Sequence, residues 1–111
     1  MAAKFEWKKT VGRIRESARN MDRAVGYALH VRRLHLGLTQ TQVARRVSKR
    51  LGKPHHVEQP QIDQVEDGKL PGTLRGRKGE AARRALLQVL KWQSSDMDFM
   101  DAMIVGVGRR L

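Results

Sequence analysis

Glycine cuts this chain into short segments, and the segments between the cuts carry apolar residues at helical spacing. Gly37, Gly52 and Gly68 each follow a periodic run, at the position where a helix closes in the left-handed region. Val43, Val47 and Leu51 recur every fourth residue and form one apolar stripe. No stretch alternates apolar and polar residues convincingly enough to make a strand. With 111 residues there is room for one domain, or one domain with an arm, and for a modest core. The chain is therefore predicted to be all-α, a compact bundle of about five to six helices.

The segments can be placed one by one. Residues 4–20 place Phe5, Val11, Ile14 and Ala18 at helical spacing, with Met21 next and a basic face of Lys8, Arg15 and Arg19. Gly12 weakens that helix, and Asn20 or Met21 marks a break. Asp22 then caps a second helix ending near Gly37, with Val25, Ala28 or Leu29, Val31 and Leu34 as its apolar positions. Thr39 with Gln42 is a capping box for a helix over 40–51. Lys53-Pro54-His55-His56 reads as a connector. Pro60 suits the first position of a short helix over 60–67 that buries Ile62 and Val65. Residues 68–79 hold Gly68, Gly72, Gly76, Gly79 and Pro71 among Lys69, Arg75, Arg77 and Lys78, and read as a flexible basic loop. Glu80 to Trp92 is a helix with Ala81, Ala85, Leu86, Val89 and Leu90 inward. Ser94-Ser95 breaks it. Ser95 and Asp98 cap a last helix bearing Phe99, Met100, Met103, Ile104 and Val107. The expected division is a basic arm or helix over 1–21, a central unit over 22–92 and a C-terminal helix over 93–111.

Charge narrows the function. The net charge is +12, and it is unevenly placed. Residues 1–53 hold 14 basic and 3 acidic side chains, a net +11, while residues 54–111 hold 9 basic and 8 acidic, a net +1. Such an asymmetry points to a polyanionic partner, nucleic acid before membrane. No apolar run approaches a spanning helix, and the N-terminus has no apolar leader region. The expected location is cytoplasmic, with the nucleoid.

Enzyme chemistry finds little footing. The chain has no cysteine, so disulfides, thiolate metal sites and a cysteine nucleophile are excluded. There is no Gly-rich phosphate loop ending in Lys-Ser/Thr, no G-x-S-x-G and no H-E-x-x-H. His30, His35, His55 and His56 lack a helical i+4 partner suited to chelation. No catalytic residue, metal or cofactor is expected.

The stretch 38–68 reads as helix, connector, short helix. Three pieces of it, Gly37-Leu38-Thr39-Gln40, Val43-Ala44 and Ile62-x-x-Val65-Glu66-x-Gly68-Lys69, resemble the lambda-repressor-like helix-turn-helix family of phage repressors and Cro proteins. The resemblance covers roughly residues 22–92. It implies a sequence-specific regulator of transcription, most often a repressor, that binds double-stranded DNA. Residues 59–67 become the helix that lies in the major groove, with Gln59, Gln61 and Gln64 facing base edges. Gln40 bonds a phosphate and fixes register. Thr39, Arg45, Lys69, Arg75, Arg77 and Lys78 are further candidate phosphate contacts. Arg33 pairs with Glu66 and ties the reading helix to the scaffold.

Two features depart from the family's pattern. Residues 48–57 add about eight residues to the usual turn, so the first helix is expected to be longer and the connector to fold back. Pro60 stands where a polar reader is common, and it either meets a thymine methyl or only sets the helix start. The apolar stripe Phe99, Met103 and Ile104 is either core or a homodimer seam, since two-fold proteins read palindromic sites. Two rival functions use the same features. One is an antitoxin-type autorepressor with a partner toxin on 93–111, and the other is a non-specific basic nucleic-acid-binding architectural protein.

Overall fold

The computed structural model describes residues 7–106, and before Arg19 only the side chains of Lys9, Arg13 and Glu16, with Gly12. It is all-α. Five α-helices run in the order α1 (Trp7–His35), α2 (Gln40–Leu51), α3 (Gln59–Glu66), α4 (Glu80–Val89) and α5 (Ser94–Gly106), with a short 3-10 turn at Gly72–Leu74. No strand occurs among the described residues. Helix α2 packs on α3 and α4, α1 packs on α3 and α5, and α4 packs on α5. The most deeply buried large side chains are Leu29, Val43, Val47, Leu74, Leu87, Leu90 and Ile104, drawn from four of the helices and the turn. Among the described residues, no helix is long and apolar enough to cross a membrane.

Helix α2 follows its local signals. Thr39 Oγ1 accepts the Gln42 N–H at 3.1 Å, and the Gln42 side chain accepts the Thr39 N–H at 2.9 Å. Val43, Ala44 and Val47 are buried, and Gly52 follows the helix in the left-handed region. The connector does fold back. Ser48 Oγ donates to the Val57 carbonyl and accepts the Val57 N–H, both at 2.9 Å, and Val57 enters the core.

Helix α1 departs from expectation. It is one 29-residue helix, so there is no break at Asn20 or Met21, Asp22 lies inside the helix rather than at a helix start, and the boundary at 21/22 is not a structural one. No proline stands in the way, and Asn or Asp inside a helix costs only a few tenths of a kcal/mol, about 0.5 relative to alanine. The buried face is also rotated. Val25, Gly26, Leu29 and Arg33 are buried, whereas Ala28, Val31 and Leu34 are exposed. Backbone approach sets that rotation. A Cβ on Gly26 would lie 2.4 Å from the Glu66 carbonyl oxygen, and one on Gly68 would lie 2.8 Å from the Arg23 nitrogen. Only glycines let α1 and the end of α3 come this close. The expected positions Phe5 and Val107 lie outside the described residues, as do the side chains of Lys8, Val11, Ile14, Arg15 and Ala18.

The remaining differences are local. Helix α3 starts at Gln59, so Pro60 is its second residue, and Gln61 accepts the Glu58 N–H at 2.9 Å. The basic loop is not loose. Leu70 and Leu74 are buried, and Arg83, itself buried, donates to the Leu74 and Gly76 carbonyls at 2.9 and 2.7 Å. Helix α4 closes at Leu90, earlier than expected. Lys91 takes φ 57°, and Trp92 N–H returns to the Leu87 carbonyl at 3.0 Å. Arg32 of α1 donates to the Leu90 and Lys91 carbonyls that this ending leaves open. Ala81 is exposed and Ala82 takes the inward place.

Helix α5 begins at Ser94, so Ser95 lies inside it rather than capping it. It belongs to the core. Met97, Met100 and Ile104 are buried, and Arg83 donates to Asp101 at 2.8 Å. At 1% exposure Ile104 is closed to any second chain. Met103 is partly buried against the core, and Phe99, 66% exposed, is what remains of the expected seam.

Candidate nucleic-acid interface

Helix α3 is eight residues long and buries only Ile62 and Val65. The opposite face carries Pro60, Asp63, Gln64 and Asp67, all exposed. A helix this short has little stability of its own, so the neighbours must hold it. They do so through a polar network centred on Glu66, whose side chain is 6% exposed.

Arg33 grips Glu66 with two parallel bonds, Nε to Oε2 at 2.7 Å and Nη2 to Oε1 at 2.9 Å. The expected pair is thus in contact, bidentate and largely buried. Arg33 Nη1 also donates to the Leu38 carbonyl at 2.8 Å, beside the start of α2. His30 Nδ1 bonds Glu66 Oε1 as well. Gln40 Nε2 donates to Asp63 at 3.1 Å and to Glu66 at 3.2 Å, and Gln40 Oε1 accepts from Gln59 Nε2 at 2.6 Å. One carboxylate therefore joins α1, α2 and α3. Burial pushes the Glu66 carboxyl upward, but the hydrogen bonds from Arg33, His30 and Gln40, with the Arg33 charge, outweigh it and hold the carboxyl below its usual value.

This network redistributes the expected readers. Gln59 is partly buried and bonded to Gln40. Gln61 is tied to the backbone at Glu58. Gln64 alone of the three stands exposed without an internal partner among the described residues. The Gln40 amide is spent inside the network. The first-turn N–H groups of Gln40 and Thr41 are the ones left at the start of α2, because the Gln42 N–H already bonds Thr39.

Open grooves lie at both ends of α3. One, at its N-terminal end, is lined by Gly37, Leu38, Thr39, Gln40, Thr41 and Gln59. The other, at its C-terminal end, is lined by Asn20, Arg23, Tyr27, Glu66, Asp67 and Lys69. Of the expected phosphate contacts, Lys69 lies in the second groove, and Arg45, Arg77 and Lys78 are exposed with no internal partner among the described residues. Arg75 is exposed but its Nε donates to the Leu70 carbonyl at 2.6 Å. Four further residues of the site, Arg23, Tyr27, His30 and Asp63, are absent from the sequence-based expectation. The Ile62/Val65 spacing carries a signal for Asp63, since the residues opposite that pair on a helix are 60, 63, 64 and 67. For Arg23, Tyr27 and His30 there is none, because the apolar residues of α1 point to a different rotation from the one it adopts. Compared with known proteins, the chain matches no family model, no curated protein and no solved structure.

Proposed function

We propose that the protein is a sequence-specific double-stranded DNA-binding regulator of transcription, of the repressor type, in which α2 and α3 act as a helix-turn-helix and α3 lies in the major groove. The observation that carries this reading is a short polar helix presented between two open grooves and fixed from behind by the Glu66 network. A reading helix must be rigid, exposed and flanked by phosphate-binding groups. Arg23 and Lys69 flank one end with charge, and the open amides of Gln40 and Thr41 flank the other as hydrogen-bond donors. The net +12 supplies long-range attraction to a polyanion.

One short helix reads only a few base pairs, so a homodimer on a two-fold site is part of the proposal. Among the described residues, Met21, Val31 and Leu34 on α1 and Phe99 on α5 are exposed large apolar residues open to a second copy. The test is selection of bound duplexes from a random pool by the full chain. A shared motif is the expected result. Gln64→Ala should then weaken binding to the selected duplex by about 1–3 kcal/mol and leave binding to random duplex unchanged. Equal affinity for selected and random duplex would replace this reading with that of an architectural protein.

A further inference from the structure

The outward face of α3 is distinctive for what it lacks. Pro60, Asp63 and Gln64 are its exposed residues, with Asp67 just past its end, and no lysine or arginine occurs between Lys53 and Lys69. A carboxylate only accepts hydrogen bonds, and an amide both accepts and donates. In the major groove guanine offers only acceptors, N7 and O6, and thymine offers an acceptor and a methyl. Cytosine N4 and adenine N6 offer amino donors. Setting Asp63 against guanine or thymine would place acceptor against acceptor, with no guanidinium on the helix to relieve it.

Asp63 is also positioned. Gln40 Nε2 donates to its Oδ1 at 3.1 Å, which orients the carboxylate, and the exposed side chain keeps acceptor capacity for a further donor. Gln64 stands next to it, exposed. Resting on the major-groove reading above, we propose that α3 selects amino-bearing base edges, with Asp63 accepting from a cytosine N4 and Gln64 pairing with an adenine, and that guanine N7 and O6 are not contacted. Asp63 is then a specificity-determining residue. Arg23 and Lys69, in the groove at the C-terminal end of α3, offset its negative charge toward the phosphates.

Modified bases in the selected duplex test this directly. N4-methylcytosine and N6-methyladenine keep their pairing but lose the amino hydrogen that faces the major groove. One cytosine and one adenine per half-site should each show an affinity loss of about tenfold when methylated. 7-Deazaguanine, which removes N7, should change affinity less than about twofold at every guanine. Asp63→Asn should lower the preference for cytosine over adenine at one position by about tenfold, because an amide matches adenine. Circular dichroism checks that this variant folds. A tenfold loss with 7-deazaguanine, or a selected motif unchanged by Asp63→Asn, overturns the inference while leaving DNA reading intact. If no duplex is enriched at all, both fall.

Discussion

Glu66 holds three helices with one carboxylate, and the chain's behaviour in acid should show it. Its folded pKa lies below the unfolded value, so it adds stability above the unfolded carboxyl range, and that stability is lost as pH falls through the depressed folded value. Glu66→Gln should therefore flatten the acid limb of a stability-against-pH curve measured by urea unfolding. An identical acid limb in the two proteins would show that another carboxylate governs it. Glu66→Ala leaves the Arg33 guanidinium buried without its partner and should cost about 3–5 kcal/mol at neutral pH. Glycines give a second test at this scale. Gly26→Ala forces a Cβ to within 2.4 Å of the Glu66 carbonyl oxygen and should cost about 1–3 kcal/mol. Gly12→Ala meets open space inside a helix and should gain up to about 1 kcal/mol. Thermal melts that rank the two alike would refute the close packing of α1 on α3. The Arg33–Glu66 pair was legible in the sequence through family resemblance. His30 and Gln40 as its further partners were not, because they meet it only once three helices are assembled.

Among the elements, those specified by neighbouring residues were the most legible. Helix α2 begins and ends where Thr39, Gln42 and Gly52 place it, since a capping box and a closing glycine act within one turn. The direction and burial of α3 were legible from Ile62 and Val65 for the same reason. Helix α1 was not, because its rotation is set by backbone contact with a segment about 40 residues away (Gly26 on Glu66), which leaves its apolar residues Tyr27, Val31 and Leu34 outside. The loop over 68–79 looks loose in sequence because glycine and charge dominate it. The residues that fix it, Leu74 and Arg83, find each other only through the packing of α4. The end of α4 was not legible because a lysine, not a glycine, takes the left-handed position. Lys91→Gly should relieve that conformation and raise stability by about 1 kcal/mol, read from the urea midpoint. The expected seam on α5 divides in the same physical way. Ile104→Asp buries a charge in the core and should abolish the folded signal in circular dichroism, whereas Phe99→Asp, at an exposed site, should fold like wild type. If Ile104→Asp stays folded, α5 is not part of the core.

At the scale of the whole molecule, folding sorts the charges that a count treats alike. Arg33 and Arg83 are buried and paired with Glu66 and Asp101, while Arg32, Arg50 and Arg75 donate to neutral carbonyl or amide groups of the fold. Arg84 spans Asp98 and Glu80 on the surface. Arg23, Arg45, Lys69, Arg77 and Lys78 have no such partner among the described residues and are exposed. A guanidinium already paired with a carboxylate has little charge left to offer a phosphate, whereas an exposed cation without such a pair can release counterions from a duplex, so the salt dependence of binding separates the two kinds. Arg23→Ala combined with Lys69→Ala should lower the slope of log affinity against log salt by about 0.9 for each phosphate that is no longer neutralised. Arg84→Ala removes the same formal charge as either single change, and it should leave the slope unaltered, because its guanidinium is already neutralised by two carboxylates. Fluorescence anisotropy on a labelled duplex over a range of salt concentrations gives all three slopes. Equal slopes for wild type and the Arg23/Lys69 variant would show that the groove at the end of α3 does not meet phosphate. A fall with Arg84→Ala alone would move the nucleic-acid surface to the α4–α5 side of the molecule.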